Sequence, residues 1–306
     1  MLKVVSFLKC LANTSGTTTK SAKEDILTRF IDGVNSAGDN GVVSNENQWE
    51  PCDVAVILGY IHKNSSKSKK NLVLRKQIID IQKQSSTHVV IVDSNLFNYF
   101  NAKSDYLRYS LNGIFPTTGN YFIDHSDPQR WRNIQKDLGI CLKPRKTMGN
   151  HILLCGQRNF GWSMGDLPVR QWANETTHKL KQYTDREIVF RPHPADRAKK
   201  SKYINHINCN ISQKESILDD FENAHAVVTY NSSPGVASAI EGISTFVTDP
   251  SPMRSQAFEV ANFDLSQIEN PLFINRQQWI ERICMSHWKL SELSDGSAWK
   301  HMRQYI

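Results

Sequence analysis

The chain has 306 residues, enough for two domains of ordinary size, and its 39% hydrophobic and 9% aromatic content is that of a globular protein rather than a disordered one. No apolar run reaches the roughly 20 residues of a membrane span, which predicts a chain without membrane partners; the opening MLKVVSFLKCLA, interrupted by Lys9, reads as a first strand rather than a signal peptide. The formal charge of +7 is uneven along the sequence: residues 1–147 carry 20 Lys and Arg against 13 Asp and Glu, an excess of 7, and residues 148–306 carry 17 against 17. Such a split suits either a polyanion met by the first half alone or a merely soluble basic face.

In chain order, KVVSFLK predicts a strand, ILTRFIDGV a helix and DVAVILGY a buried strand. NLVLRKQIIDIQKQ follows as an amphipathic helix and HVVIVDS as a third strand, before a less regular aromatic region. The pattern restarts at residue 151, with HILLCGQ, EIVFRPHP, AVVTYN and STFVTDP as strands. LPVRQWANETTHKLKQY, SILDDFENA and PGVASAIEG are the helices between them. Apolar strands alternating with helices predict parallel sheets covered on both faces. The expected fold is α/β, with two doubly wound Rossmann-like domains facing across a cleft. Their boundaries are 1–147 and 148–275, linked through KPRKTMGN at 143–150, and the helical tail 276–306 is expected to pack back on the first domain.

The six cysteines are scattered, without a CxxC pair, which fits reduced thiols and a cytoplasmic protein, in the host cytoplasm if viral. There is no DxD and no His/Cys cluster with ligand spacing, so no metal and no cofactor is expected. GWSMG at 161–165 matches the GxSxG nucleophile elbow, but that turn needs its Ser directly between strand and helix. Here the strand ends several residues before Ser163 and Asp166–Pro168 precede the helix, which disfavours a hydrolase.

Three loops carry the candidate site. In YNSSPG a strand end meets a helix start, with Ser233 placed as N-cap and Pro234 at the first helical position. Free N–H groups, the hydroxyls of Ser232 and Ser233, and the bare backbone of Gly235 then suit an anion; the bland alternative is an ordinary capped turn. In FRPHPADR, prolines fix Arg191 and His193, a cation and an imidazole suited to phosphate. In CGQRNFGW, Gly156, Gln157 and Arg158 are positioned to cover a ligand and Trp162 to stack on a base or sugar.

RPHPAD followed by NSSPGVASAIEGISTF resembles the second domain of GT-B glycosyltransferases, in particular the capsule-polysaccharide and sialyltransferase-type group. The resemblance implies that His193 and Ser232/Ser233 hold the phosphate of a nucleotide-sugar donor, a UDP-sugar or alternatively a CMP-sugar. It departs where many such enzymes carry a ribose-holding Glu five residues before a Gly-x-Pro turn: here Ala237 and Ser244 stand at the Glu and Pro positions, and Glu241 is out of register. SDYLRYSLNGIFPTTGNYF and QRNFGWSMGDLPVRQW are similar to T-even-like bacteriophage glycosyltransferases of hydroxymethylcytosine DNA.

That second resemblance agrees with the charge split, since the first domain of a GT-B enzyme takes the acceptor and a DNA acceptor demands a basic one. The expected function is therefore sugar transfer from a nucleotide sugar to 5-hydroxymethylcytosine-type bases in phage DNA, the target base flipped from its duplex. Lys63, Lys67, Lys69 and Lys70 in HKNSSKSKK would contact phosphates, although a solvated loop explains them equally. The leaving phosphate would be stabilised by Arg191, His193 and the 232–235 turn. If the reaction inverts, Asp93 at the end of HVVIVD is the candidate base, with His62 second and a helix cap as its bland reading. The alternatives are a capsule or envelope polysaccharide glycosyltransferase and a non-catalytic nucleic-acid-binding protein.

Overall fold

The computed structural model describes residues 1–11, 20–61, 70–101, 104–115, 119, 126–159, 161–251 and 254–306, with only the backbone of Lys20, Ser21 and Trp162. Along the chain come β1 (Lys3–Phe7), α1 (Lys20–Ser36), β2 (Asn40–Ser44), β3 (Val54–Leu58), α2 (Lys70–Gln84), β4 (His88–Ser94) and β5 (Tyr106–Leu111). There follow α3 (Pro128–Leu138), β6 (His151–Cys155), α4 (Val169–Leu180), β7 (Glu187–Arg191), α5 (Pro194–Ala198) and β8 (Asn210–Ile211). Next are α6 (Ile217–Phe221), β9 (Ala224–Thr229), α7 (Pro234–Ile240) and β10 (Ser244–Val247). The chain ends with α8 (Gln277–Cys284), β11 (His287–Lys289), α9 (Leu290–Ser294) and α10 (Ser297–Met302). These elements form two compact units: Met1–Asn95, Lys103–Asp127 and Arg282–Ile306 in the first, Leu96–Ala102 and Pro128–Glu281 in the second.

The first unit holds a six-stranded sheet in the order β11-β5-β4-β3-β1-β2. β2, β1, β3 and β4 run parallel, and β5 and β11 are added antiparallel at one side. β3, VAVIL, is buried along almost its whole length because helices cover a parallel sheet on both faces. On one face Phe30 of α1 stacks on Tyr109 (centroids 5.9 Å apart, 17° between planes) and meets Trp299 of α10 edge-on. The chain's last segment is anchored by a buried carboxylate: Asp39 accepts from the Trp299 indole (2.9 Å) and from Arg303 Nε (2.5 Å).

The second unit holds an all-parallel sheet in the order β10-β9-β6-β7-β8. Counted from β6 this is 3-2-1-4-5, the order of dinucleotide-binding domains, which reverses direction between β6 and β9. Alternate side chains pack on opposite faces. Leu154, Phe190 and Val228 meet Trp172 of α4, while Leu153, Cys155 and Val227 meet Phe221 of α6 and Ala237 of α7. Tyr99 and Phe100 pack against that second cluster, which is why residues 96–102 belong to this unit.

Two expectations change at this level. The stretch 143–150, read as a linker, is fastened to the second unit: Lys143, Lys146 and Asn150 donate backbone N–H groups to Ile240, Gly242 and Asn223. Lys143 also pairs with Glu241 (2.6 Å), and Phe273 lies between the Arg145 and Arg276 guanidinium groups, 5.3 and 4.6 Å from its centroid. Because basic α3 and this stretch fold with the second unit, the charge asymmetry of the linear sequence largely disappears. The first unit has 18 Lys and Arg against 14 Asp and Glu, an excess of 4, and the second 19 against 16, an excess of 3.

Candidate functional site

The candidate site lies in the second unit, at the carboxyl ends of β6, β7 and β9, where the strand order reverses. In open α/β sheets that crevice is where ligands bind. The loop after β6 is fixed to the turn after β9 by one glutamine. Gln157, 4% exposed, accepts the backbone N–H of Asn231 (2.9 Å) and donates to Ser163 Oγ (2.5 Å). The Asn231 amide donates to Ser163 O (3.1 Å) and to the buried Asp249 carboxylate (2.7 Å). The loop after β7 joins through Asp196, whose Oδ2 accepts from Asn159 N (2.8 Å) and the Tyr203 hydroxyl (3.0 Å). Three loops from three strands are thus held in one hydrogen-bonded frame.

Within this frame three polar atoms in four residues are buried with no hydrogen-bond partner among the described residues: Thr229 Oγ1, Asn231 Oδ1 and Ser232 Oγ. Each such group costs about 1–3 kcal/mol unless something satisfies it. His193, in the loop after β7, is the N-cap of α5. Its Nδ1 accepts the Ala195 N–H (3.1 Å), so the neutral ring carries its proton on Nε2 as a donor. Burial lowers the His193 pKa; the Asp196 carboxylate opposes that shift and the Arg158 charge adds to it. The site therefore offers hydroxyl, amide and imidazole groups rather than a fixed carboxylate.

Several expected residues take other roles. Arg191 is turned into the protein: its guanidinium pairs with buried Asp220 and donates to Lys214 O (3.1 Å) and Glu215 O (2.6 Å), so its charge is neutralised internally. Ser233 is the N-cap of α7, with Pro234 at the first helical position as expected, but its backbone is already helical (φ −59°, ψ −22°) and its side chain makes no capping hydrogen bond; the hydroxyl instead meets the Tyr99 hydroxyl at 3.0 Å. Gly235 serves packing: a Cβ there would lie 3.3 Å from Thr245 Cγ2 and 3.4 Å from Ala257 Cβ. Gly156 is needed because a Cβ would lie 2.5 Å from the Phe190 ring. Arg158 is exposed at the loop surface.

Asp93, in the first unit, binds the Arg108 guanidinium (2.7 Å) and caps its own loop through Ser94 N (2.8 Å), the contacts of a structural carboxylate rather than a waiting base. Lys70 is the exposed first residue of α2; Lys63, Lys67, Lys69 and His62 lie outside the described residues. Ser163 sits in a short 3-10 turn (Trp162–Met164), between the end of β6 at Cys155 and the start of α4 at Val169, so no nucleophile elbow forms. Tyr99, Asp196 and Asp249 were missed by sequence reasoning. Tyr99 is 134 residues from Ser233, and nothing local announces the contact; Asp249 in TDP closes a predicted strand and Asp196 in HPAD follows one by two residues, so both were legible as loop anchors.

No family model matches the chain, and no curated protein matches it in sequence. Two solved structures share its architecture over nearly the whole length. The KpsC beta Kdo 2,4 transferase of Thermosulfurimonas dismutans aligns with a TM-score of 0.58 at 12% identity, covering 94% of this chain and 92% of that one. The KpsC beta Kdo 2,7 transferase of the same organism aligns with a TM-score of 0.53 at 11% identity, covering 99% and 100%. The fold is GT-B. Identity this low speaks for architecture alone, and chemistry has to be argued from the site. Among the described residues no helix is long and apolar enough to cross a membrane, and no group of three or more His, Cys, Asp or Glu is placed to hold a metal.

Proposed function

We propose that the protein is a glycosyltransferase that binds a nucleotide-sugar donor on its second unit. The observation that carries this reading is the run of unpaired buried polar atoms, Thr229 Oγ1, Asn231 Oδ1 and Ser232 Oγ, at the strand-order reversal of a GT-B fold. Ser232 Oγ and the Nε2–H of His193 supply donors to the donor phosphate, in line with the HP and paired-Ser motifs. In the reaction, an acceptor hydroxyl oxygen bonds to the anomeric carbon as the carbon–oxygen bond to phosphate breaks. The nucleotide leaves with that electron pair, and the hydroxyl proton passes to solvent. Hydrogen bonds that strengthen as charge develops on the leaving phosphate lower the barrier. Arg191 is left out of this machinery because Asp220 already holds it.

For the acceptor we favour a saccharide over DNA. Two structural neighbours with this architecture are by name Kdo transferases, and the near-even charge of the two units, +4 and +3, removes the electrostatic argument for a polyanion on one unit alone. The test is transfer of label from UDP- and CMP-sugars to a capsular oligosaccharide, to duplex DNA containing hydroxymethylcytosine and to unmodified duplex. Label on the oligosaccharide, lost in His193→Ala, supports the reading. Label on hydroxymethylated DNA alone would restore the nucleic-acid acceptor, and nucleotide binding without dependence on His193 or Ser232 would move the donor site elsewhere.

A further inference from the structure

The first unit contains a buried cation, Arg75, with no ion-pair partner among the described residues. α2 presents Leu74, Arg75, Ile78 and Gln82 to the interior, a helical stripe in which Arg75 occupies a position ordinarily apolar. The residue is 7% exposed. Its Nε donates to Cys10 O (2.8 Å), just beyond β1, and its guanidinium lies against Gly59, just beyond β3, with Nη1 2.9 Å from where a Cβ would stand. Gly59 has φ +82°, so the backbone there both turns and clears room for the guanidinium. Neither Nη atom has a hydrogen-bond partner, and Arg75 has no ion-pair partner, among the described residues.

The nearest compensating charge is already engaged. Asp93, at the end of β4, acts on Arg75 through space but forms its ion pair with Arg108 at 2.7 Å. Asp93 is thus engaged by Arg108 and reaches Arg75 only through space. Burial lowers the Arg75 pKa, with the Cys10 thiol and Asp93 opposing, yet a guanidinium stays protonated in any such setting. A buried, uncompensated charge is costly, and a planar fork with two free Nη atoms matches the two oxygens of a carboxylate or phosphate.

We propose that the first unit holds an oxyanion-binding site of its own, in which Arg75 receives a carboxylate or phosphate group through its Nη atoms. On the reading that the second unit takes the donor, this group belongs to the acceptor, which makes the acceptor an anionic saccharide. The site differs from the one on the second unit in kind, since it offers a full positive charge rather than hydroxyl and imidazole donors.

The experiment titrates inorganic phosphate and acetate into the full chain, in buffers brought to constant ionic strength with chloride, and follows the thermal midpoint. One or both oxyanions should raise it saturably in the wild type and in His193→Ala, with phosphate and acetate identifying which group the site takes. Arg75→Gln should weaken that response roughly 10- to 100-fold, as loss of charge-assisted hydrogen bonds implies. Should Arg75→Gln not fold, Arg75→Lys keeps the charge without the fork and should weaken the response by about tenfold. A wild type indifferent to both anions, or a full response in either Arg75 variant, overturns the proposal. UDP and CMP titrated in parallel read the second unit separately: nucleotide binding without an oxyanion response defeats only this site, and an oxyanion response without nucleotide binding defeats only the donor reading.

Discussion

At the carboxyl end of β7, Arg191 meets Asp220 and two backbone carbonyls, whereas beyond β1 and β3 Arg75 meets one carbonyl and no carboxylate among the described residues. Both arginines are more than nine-tenths buried, and both stand where an α/β sheet binds ligands. In the second unit the cation is consumed by the fold, and what remains for a ligand is a set of neutral donors held by Gln157, Asn231 and Asp196. In the first unit the cation is left over. A buried arginine thus says little about anion binding until its carboxylate is found, because a paired guanidinium is structure and an unpaired one asks for a partner.

The largest effect should come from breaking the neutralised side of this contrast. Asp220→Asn leaves Arg191 buried and unpaired, and should destabilise the protein by about 3–5 kcal/mol in urea unfolding. A loss below about 1 kcal/mol would mean that Asp220 is not what compensates Arg191. His193→Ala should lower the transfer rate roughly 10²- to 10³-fold, as removal of a donor to developing charge does. Its unfolding free energy should fall by only about 1 kcal/mol, the contribution of the α5 cap. A matching fall in stability and rate would instead make His193 a packing residue.

Gly156→Ala forces a methyl group against the Phe190 ring and should cost roughly 1–3 kcal/mol. Phe190→Leu in the same chain should recover part of that loss; no recovery would place the strain in the backbone. Tyr99→Phe removes the hydroxyl contact with Ser233 and should cost about 0.5–1.5 kcal/mol by the same measurement. A pH dependence belongs to the other end of the first sheet. Hydrogen bonds from Arg303 first, and then from Leu2 N and Trp299, hold the Asp39 carboxyl down to about 2 against the opposing effect of burial. Its folded pKa lies below its unfolded one, so this stabilisation is present above about pH 4 and is lost as pH falls towards 2. Unfolding free energies of wild type and Asp39→Asn should therefore converge across that window.

How much of this was legible depended on the range of the interaction that decides each feature. The strands VAVIL, HVVIV, HILLC, EIVF and AVVT announce themselves, because a strand buried on both faces must be apolar throughout. β5, YLRYSL, did not: it carries Arg108 mid-strand, where Asp93 lies opposite it in the antiparallel register and pairs with it. β11 is three residues long and is a strand only because β5 offers it an edge. The loops carrying Gln157, His193 and Ser232 were visible, since loop position follows strand ends. The partners of their side chains were not.

The sequence by itself determined the principal buried strands and the helices between them, two successive α/β patterns and the three loops that converge on the second sheet, because these follow from local periodicity and turn chemistry. Only the tertiary structure decided which charges remain available. Lys143, Arg145 and Lys146 moved from the first half of the sequence to the second unit of the fold, Arg191 was neutralised by a residue 29 positions away, and Arg75 has no ion-pair partner among the described residues. Electrostatic energy depends on distance and burial in space, and neither can be read from position along a chain.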